Sequence, residues 1–276
     1  MEWPKLKNII ILILLVVNGF LLVLVASRRE EAVSYERKAL ERIVQVLEGK
    51  GIQVDAQALR PADGLAPASM ERDVEREARL VGLLLGEEVP GDNRGGGLYL
   101  YRGELGEVSL RSGGEVSAVF EEDGRWMTDH PEQHAAALLK RLGLEAEQTA
   151  VEDGADGTSL FFRQSWNGVP VFTCEVELIY REGRLCSLQG VLLMAETAAA
   201  EAGECLTLPT ALMRFSEEVA ATGDGCSAIH SMEAGYRGSV QSLSGGTRLA
   251  PVWLVATNTA DYYLDCVTGA LTRLGE

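Results

Sequence analysis

Histidines, cysteines and paired carboxylates carry most metal and acid–base chemistry, so a catalytic reading begins with the three histidines and five cysteines of this chain. His130 and His134 stand four apart, but the intervening Pro131-Glu132-Gln133 is not the H-E-x-x-H pattern of zinc proteases. Pro131 suits the first helical position, which leaves His130 outside the helix and removes a shared metal face. His230 stands alone in an expected strand. Asp153-Gly154-Ala155-Asp156-Gly157 resembles a calcium loop, yet its acidic spacing is wrong and no Glu closes it, so it reads as a solvated turn.

The cysteines, at 174, 186, 205, 226 and 266, form an odd set without a C-x-x-C spacing. With a tight turn at Glu182-Gly183, Cys186 falls opposite Ile179 and Cys174 opposite Val191, so this pair does not meet. All five read as buried apolar thiols. There is no G-x-S-x-G elbow, Walker loop or G-x-G-x-x-G fingerprint. The sequence therefore assigns no catalytic residue, no cofactor-binding residue and no metal ligand, and the expectation is a protein that is not an enzyme and carries no cofactor.

Charge narrows the partners. A net charge of −16, with 25 basic residues and no basic run longer than Arg28-Arg29, argues against nucleic acid. A 46% hydrophobic composition spread along the chain excludes both a disordered protein and a transporter with many membrane spans.

One stretch departs from this average. Ile9 to Ala26 is an 18-residue run without a charge, interrupted only by Asn18 and Gly19. As a helix it rises about 27 Å, which predicts a transmembrane helix over 9–26 behind a short cytoplasmic head at 1–8. Val25-Ala26-Ser27 offers the rival reading of a cleaved signal peptide. An amphipathic helix within 27–48 follows, with Val33, Leu40, Ile43, Val44 and Leu47 on one side. Basic residues after the run outnumber Lys5 and Lys7 before it, but acidic residues are mixed among them and a long domain follows. The expected arrangement is a single-pass cell-membrane protein with an extracytoplasmic body. Asn18 must satisfy its amide and Gly19 permits close approach, so the two are the candidate contact for a partner helix.

The remainder predicts an α+β fold of antiparallel sheets, each packed with a helix. A β-rich part spans 49–127, and within it 98–101, 106–110 and 116–120 read as a meander, while 74–85 fits strand and helix equally. A first helix-plus-sheet unit spans 128–200: a helix over 131–142 capped by Asp129, then strands over 158–165, 169–180 and 185–194 turned at Asn167-Gly168 and Glu182-Gly183. A second unit spans 201–276, with a helix over 209–220 capped by Thr207 and strands over 228–236, 252–257 and 262–267. Trp253 and Tyr262-Tyr263 read as packing residues, Trp166 as a hairpin flank, and Asp265 as the side chain that ties the turn at Thr268-Gly269.

The opening Met1-Glu2-Trp3-Pro4-Lys5-Leu6-Lys7, followed by an apolar helix containing Asn18, resembles the YycI family. Gln164-Ser165-Trp166-Asn167-Gly168-Val169-Pro170-Val171, Gly235-Tyr236, Leu249-Ala250-Pro251-Val252-Trp253 and Tyr263-Leu264-Asp265-Cys266-Val267-Thr268-Gly269 are similar to the strand motifs of that family and of PepSY-like domains. The resemblance covers nearly the whole chain except 52–125. It implies two PepSY-like units in the second half and a non-enzymatic accessory protein of the WalK (YycG) sensor histidine kinase of cell-wall metabolism in Gram-positive bacteria, acting with a YycH-like protein. An anchored PepSY-type domain that binds or inhibits an envelope peptidase is the alternative, and an exported hydrolase a third.

Overall fold

The structure is a computed structural model that describes residues 3–121, 126–154, 157–195, 198–240 and 246–275. Side chains within helix and strand are described except at 3–10, 23, 25–26, 28–33, 198 and 200. Met1 and Glu2 of the opening motif and Ala155 and Asp156 of the acidic turn lie outside the described residues.

The chain opens with helix α1, Trp3–Gly49, which stops where Gly51 adopts a φ of +87°. Strand β1, Gln53–Val54, and a single 3-10 turn, Ala56–Ala58, lead to β2, Ala68–Met70. Helix α2 is Val74–Leu85; the Asp73 carboxylate accepts from the Arg76 amide at its start, and left-handed Gly86 ends it. That cap decides the segment that read equally as strand. Strands β3, Asp92–Gly95, β4, Leu98–Gly103, β5, Gly106–Arg111, and β6, Glu115–Phe120, form a meander.

Helix α3, Pro131–Arg141, is followed by β7, Ala146–Gly154, β8, Gly157–Trp166, β9, Val169–Arg181, and β10, Arg184–Val191. The residue at the α3 cap is His130, with no side-chain cap bond, so the expected Asp129 cap is corrected: His130, not Asp129, precedes Pro131. After the short β11, Ala198–Ala200, come helix α4, Leu208–Thr222, and strands β12, Ala228–Val240, β13, Thr247–Thr257, β14, Asp261–Asp265, and β15, Leu271–Arg273.

All fifteen strands among the described residues belong to one mixed sheet whose main path runs β11-β2-β13-β12-β9-β10-β6-β5-β4-β3. This corrects the expected fold class, in which separate antiparallel sheets each carried one helix. The physical reason is β9. Its 13 residues span about 43 Å, long enough for its C-terminal part to pair with β10 while Val171 near its start makes a parallel pair with Tyr236 of β12. Gly235 makes that meeting possible, since a Cβ there would stand 2.6 Å from the Pro170 carbonyl oxygen and 2.7 Å from the Phe172 ring.

Helices are shared between the two sides of this junction. Leu80, Val81, Leu84 and Leu85 of α2 join Ala135, Leu138 and Leu139 of α3 in one core with strands of the meander and of β8–β10. Leu47 of α1 joins Leu212, Phe215 and Val219 of α4 in a second core with Met232, Trp253 and Tyr262. The chain therefore gives two helices to each of these two cores, while a third cluster at the sheet junction, with Met70, Val171, Cys174, Tyr236 and Leu249, has none.

The predicted transmembrane helix is also corrected. Among the described residues no helix is long and apolar enough to cross a membrane. Helix α1 carries the run on without a break through the charged segment at 28–31 and ends in the folded body.

The strand β9 alternates as its sequence predicts, with Phe172, Cys174, Val176, Leu178 and Tyr180 buried. The hairpin after it departs from expectation by one residue. Leu185 pairs Tyr180 and Ser187 pairs Ile179, which leaves Cys186 as a bulge instead of the partner of Ile179. The shift persists to Gly190 opposite Val176, so Val191 no longer faces Cys174.

Candidate partner-contact surface

Leu47 is buried and Leu40 and Ile43 are half-buried against the core that contains α4. The C-terminal end of α1 is thus part of the folded body. Further back along the same helix, Ile11 to Val17 and Phe20 to Leu22 are all exposed. A packed helix buries a stripe and leaves a polar face; this segment is apolar around its circumference apart from Asn18 and Gly19, and its large side chains stand exposed. An exposed apolar patch of this kind marks an interaction surface.

Asn18 and Gly19 sit in the middle of it. The Asn18 Nδ2 donates to the Leu14 carbonyl oxygen one turn back, at 2.9 Å. That bond satisfies one of its two N–H groups and leaves the second, and the Oδ1 acceptor, for another molecule. A Cβ on Gly19 would meet nothing within 4 Å, so its side of the helix is open to a close backbone approach.

The histidines do not converge. His130 is exposed at the start of α3, and His230 is exposed on β12 beside an open cleft lined by Gln53 and Asp55. His134 lies half-buried, its Nδ1 2.8 Å from the Tyr180 hydroxyl and its ring edge-on to Trp126. Burial, then the Arg141 charge, pushes its pKa below the usual histidine value. Among the described residues no group of three His, Cys, Asp or Glu side chains could hold a metal ion.

Of the acidic turn, Asp153 is described, and its Oδ1 accepts from the Thr158 hydroxyl at 2.7 Å. Asp265 accepts from the Val267 and Thr268 amides, as its turn motif predicts. Trp253 and Tyr262 are buried in the core. Trp166 is half-buried, edge-on to Tyr236 at 5.4 Å.

Two polar arrangements had no sequence signal strong enough to find them. Arg72 makes a two-point ion pair with Glu77, with Nε to Oε1 at 2.8 Å and Nη2 to Oε2 at 2.6 Å, beneath the Tyr99 ring. Glu77 is 1% exposed and fastens the first turn of α2 to the meander. The second arrangement is Cys205 with Cys266, which the bond from the Leu206 amide to the Cys266 carbonyl oxygen brings onto adjacent segments of one core. The shared Asp-x-x-Thr-Gly surroundings of Cys266 could have drawn attention to that turn, but nothing in the spacing points to Cys205.

The architecture defines a mostly-sheet protein with helices shared between two cores. Two solved structures are similar to this chain to different degrees. One is an uncharacterized protein from Eubacterium rectale ATCC 33656, at 12% identity and a TM-score of 0.51, with 81% of this chain and 90% of that chain covered. That likeness speaks to the fold alone. A weak structural neighbour is the C-terminal domain of Bacillus megaterium YpeB, at 10% identity and a TM-score of 0.36, with 75% of this chain and 100% of that chain covered. No family model matches the chain, and no curated protein matches it. The YycI resemblance is therefore carried by its motifs only.

Proposed function

We propose that this chain is a non-enzymatic, extracytoplasmic regulatory protein that modulates a two-component sensor histidine kinase of cell-wall metabolism, together with a YycH-like protein, through protein–protein contacts. The observation that carries the reading is α1: one end is seated in the core, and the large apolar side chains between Ile11 and Leu22 stand exposed among the described residues. A helix built this way passes a contact at its free end to the body at its other end. The partner fitted to it is an apolar helix with a polar group level with Asn18. The kinase and the YycH-like protein enter through the motif resemblance.

Asn18 and Gly19 set the register of that contact. A hydrogen bond from the unused half of the Asn18 amide contributes about 0.5–1.5 kcal/mol, and about 1.4 kcal/mol is a tenfold change in a two-state population. Replacing Asn18→Leu together with Gly19→Leu removes the amide and fills the open side of the helix. Association with the kinase, read by crosslinking or two-hybrid assay at matched expression, should fall about tenfold while the body stays folded. Unchanged association would move the contact from α1 to the sheet.

A further inference from the structure

Segment 203–207, which leads into α4, lies alongside the turn after β14. The Leu206 amide donates to the Cys266 carbonyl oxygen at 2.7 Å, and a Cβ on Gly203 would stand 3.3 Å from the Val267 side chain. The two backbones are thus held together on both sides of Cys205. Within this contact Cys205 and Cys266 pack in the same core, and the Cys205 Sγ donates to the Leu65 carbonyl oxygen at 3.3 Å. Cys266 is fully buried and Cys205 is half-buried. The remaining thiols have other surroundings. Cys186 and Cys226 donate to the carbonyl oxygens of Arg184 and Ala228, and Cys174 is buried at the sheet junction.

We propose that Cys205 and Cys266 form a reversible disulfide that staples the root of α4 to the end of β14. Bond formation between two thiols on adjacent, mutually bonded backbones asks for side-chain rotation rather than backbone travel. The oxidant is a low-molecular-weight disulfide. The Cys205 thiolate, the accessible one, attacks a sulfur of that disulfide; an S–S bond to Cys205 forms and one thiolate leaves. The Cys266 thiolate then attacks the Cys205 sulfur and expels the second small thiolate. Two protein thiols are oxidised, the small disulfide is reduced to two thiols, and the two protons pass to them through solvent. Burial raises both protein thiols above their ordinary range, so the exchange accelerates with pH.

The bond has a place to act. Thr207 and Pro209, just beyond Cys205, line the cleft between α4 and α1 together with Tyr35, Ala39 and Ile43. A staple at Cys205 therefore fixes the root of the helix on which α1 is seated.

The test uses the full-length protein, incubated at pH 8.5 with glutathione disulfide, then alkylated under denaturing conditions and mapped without reduction. The expected result is a fall from five alkylatable thiols to three, with a peptide pair joining Cys205 to Cys266 and reversal by dithiothreitol. In Cys205→Ser the pair disappears and all four remaining thiols stay alkylatable, with no adduct on Cys266. Segment 203–207 should also exchange its amide hydrogens several-fold more slowly in the oxidised wild type. Five alkylatable thiols after oxidation would overturn the proposal. So would a glutathione adduct that persists on Cys205, or a bridge from Cys205 to any other cysteine.

Discussion

Between Val74 and Met194 the chain builds one half of the sheet, β3 to β10, from elements that mostly follow one another and pair with near neighbours in sequence. The other half is gathered from four places: β1 and β2 from 53–70, β11 from 198–200, the strands after α4, and the C-terminal end of α1 beneath them. Gln53 pairs with Ala228, and Leu59 bridges Met232. Ladders between neighbours cost little loop-closure entropy, whereas a two-residue strand paired across most of the chain depends on a few strong ties. The first half is thus a redundant scaffold. The second, which seats α1, is held by discrete fastenings, and it is where a contact on α1 would be felt.

The strongest fastening is Trp253. It is fully buried, and its Nε1 donates to the Arg60 carbonyl oxygen at 3.1 Å, while the Arg60 amide donates to Met232 at 2.8 Å. Trp253→Ala should cost about 3–5 kcal/mol through the cavity and also strip Arg60 of its donor. The expected outcome is selective release of 53–70, seen as new cleavage sites there in limited proteolysis while 74–194 stays protected. Phe162→Ala, buried in the other core, should cost a similar amount without exposing 53–70. Identical cleavage patterns for the two variants would erase the distinction between the halves.

A smaller effect is expected where the halves join. Gly235→Ala places a methyl against the Pro170 carbonyl and the Phe172 ring, and overpacking of this kind costs about 1–3 kcal/mol. It should lower the melting temperature by several degrees and disturb the edge-on contact of Trp166 with Tyr236, read by tryptophan fluorescence. Gly49→Ala is the control, because a Cβ there meets nothing within 4 Å and the helix ends at that residue; it should leave stability unchanged or slightly raised. Equal shifts for both glycines would show that the junction tolerates a side chain.

The same division explains what could be read from the sequence. Asn167-Gly168 and Glu182-Gly183 adopt the positive φ angles their turns require, and β9 alternates as written, because these features answer to local chemistry. So do α3 and α4, whose apolar residues recur at helical spacing. The two- and three-residue strands β1 and β2 carry no periodicity of their own; their partners are far away in sequence and supply the pairing. The bulge at Cys186 has no mark in the alternation of its strand, and it moved a predicted register by one. On α1, Asn18 stood out as a polar residue among apolar ones, but its bond to the Leu14 carbonyl depends on helix geometry. The apolar run itself suggested a membrane span, and the described part of the helix does not supply one. The Cys205–Cys266 contact joins two second-half segments and was invisible for the reason that β1 and β2 were.

The smallest expected effect tests the scaffold half through its pH response. His134 packs between Trp126 and Tyr180, and the Tyr180 hydroxyl lies 2.8 Å from its Nδ1. Burial is the larger cause of its lowered pKa and the Arg141 charge the smaller, so the folded protein disfavours the imidazolium. The sign follows directly. In the unfolded chain His134 takes up a proton near pH 6.5, and in the folded chain it does so only at lower pH. Between those values the unfolded state binds more protons, so stability falls as pH falls. The contribution is fully present above about pH 6.5 and is lost as the solution is acidified below it. In the protonated ring Nδ1 is a donor whichever tautomer preceded it, so the Tyr180 hydroxyl then accepts at this contact. His134→Gln keeps a polar side chain without a titrating group. The wild-type melting temperature should therefore drop more steeply from pH 7 to pH 5 than that of His134→Gln, with the two curves parallel above pH 7. His230→Gln, exposed on β12, should track the wild type throughout. A His134→Gln curve as steep as the wild type would mean that the imidazole is accommodated in its charged form, and that the first core is less rigid around α3 than its redundant ladders imply.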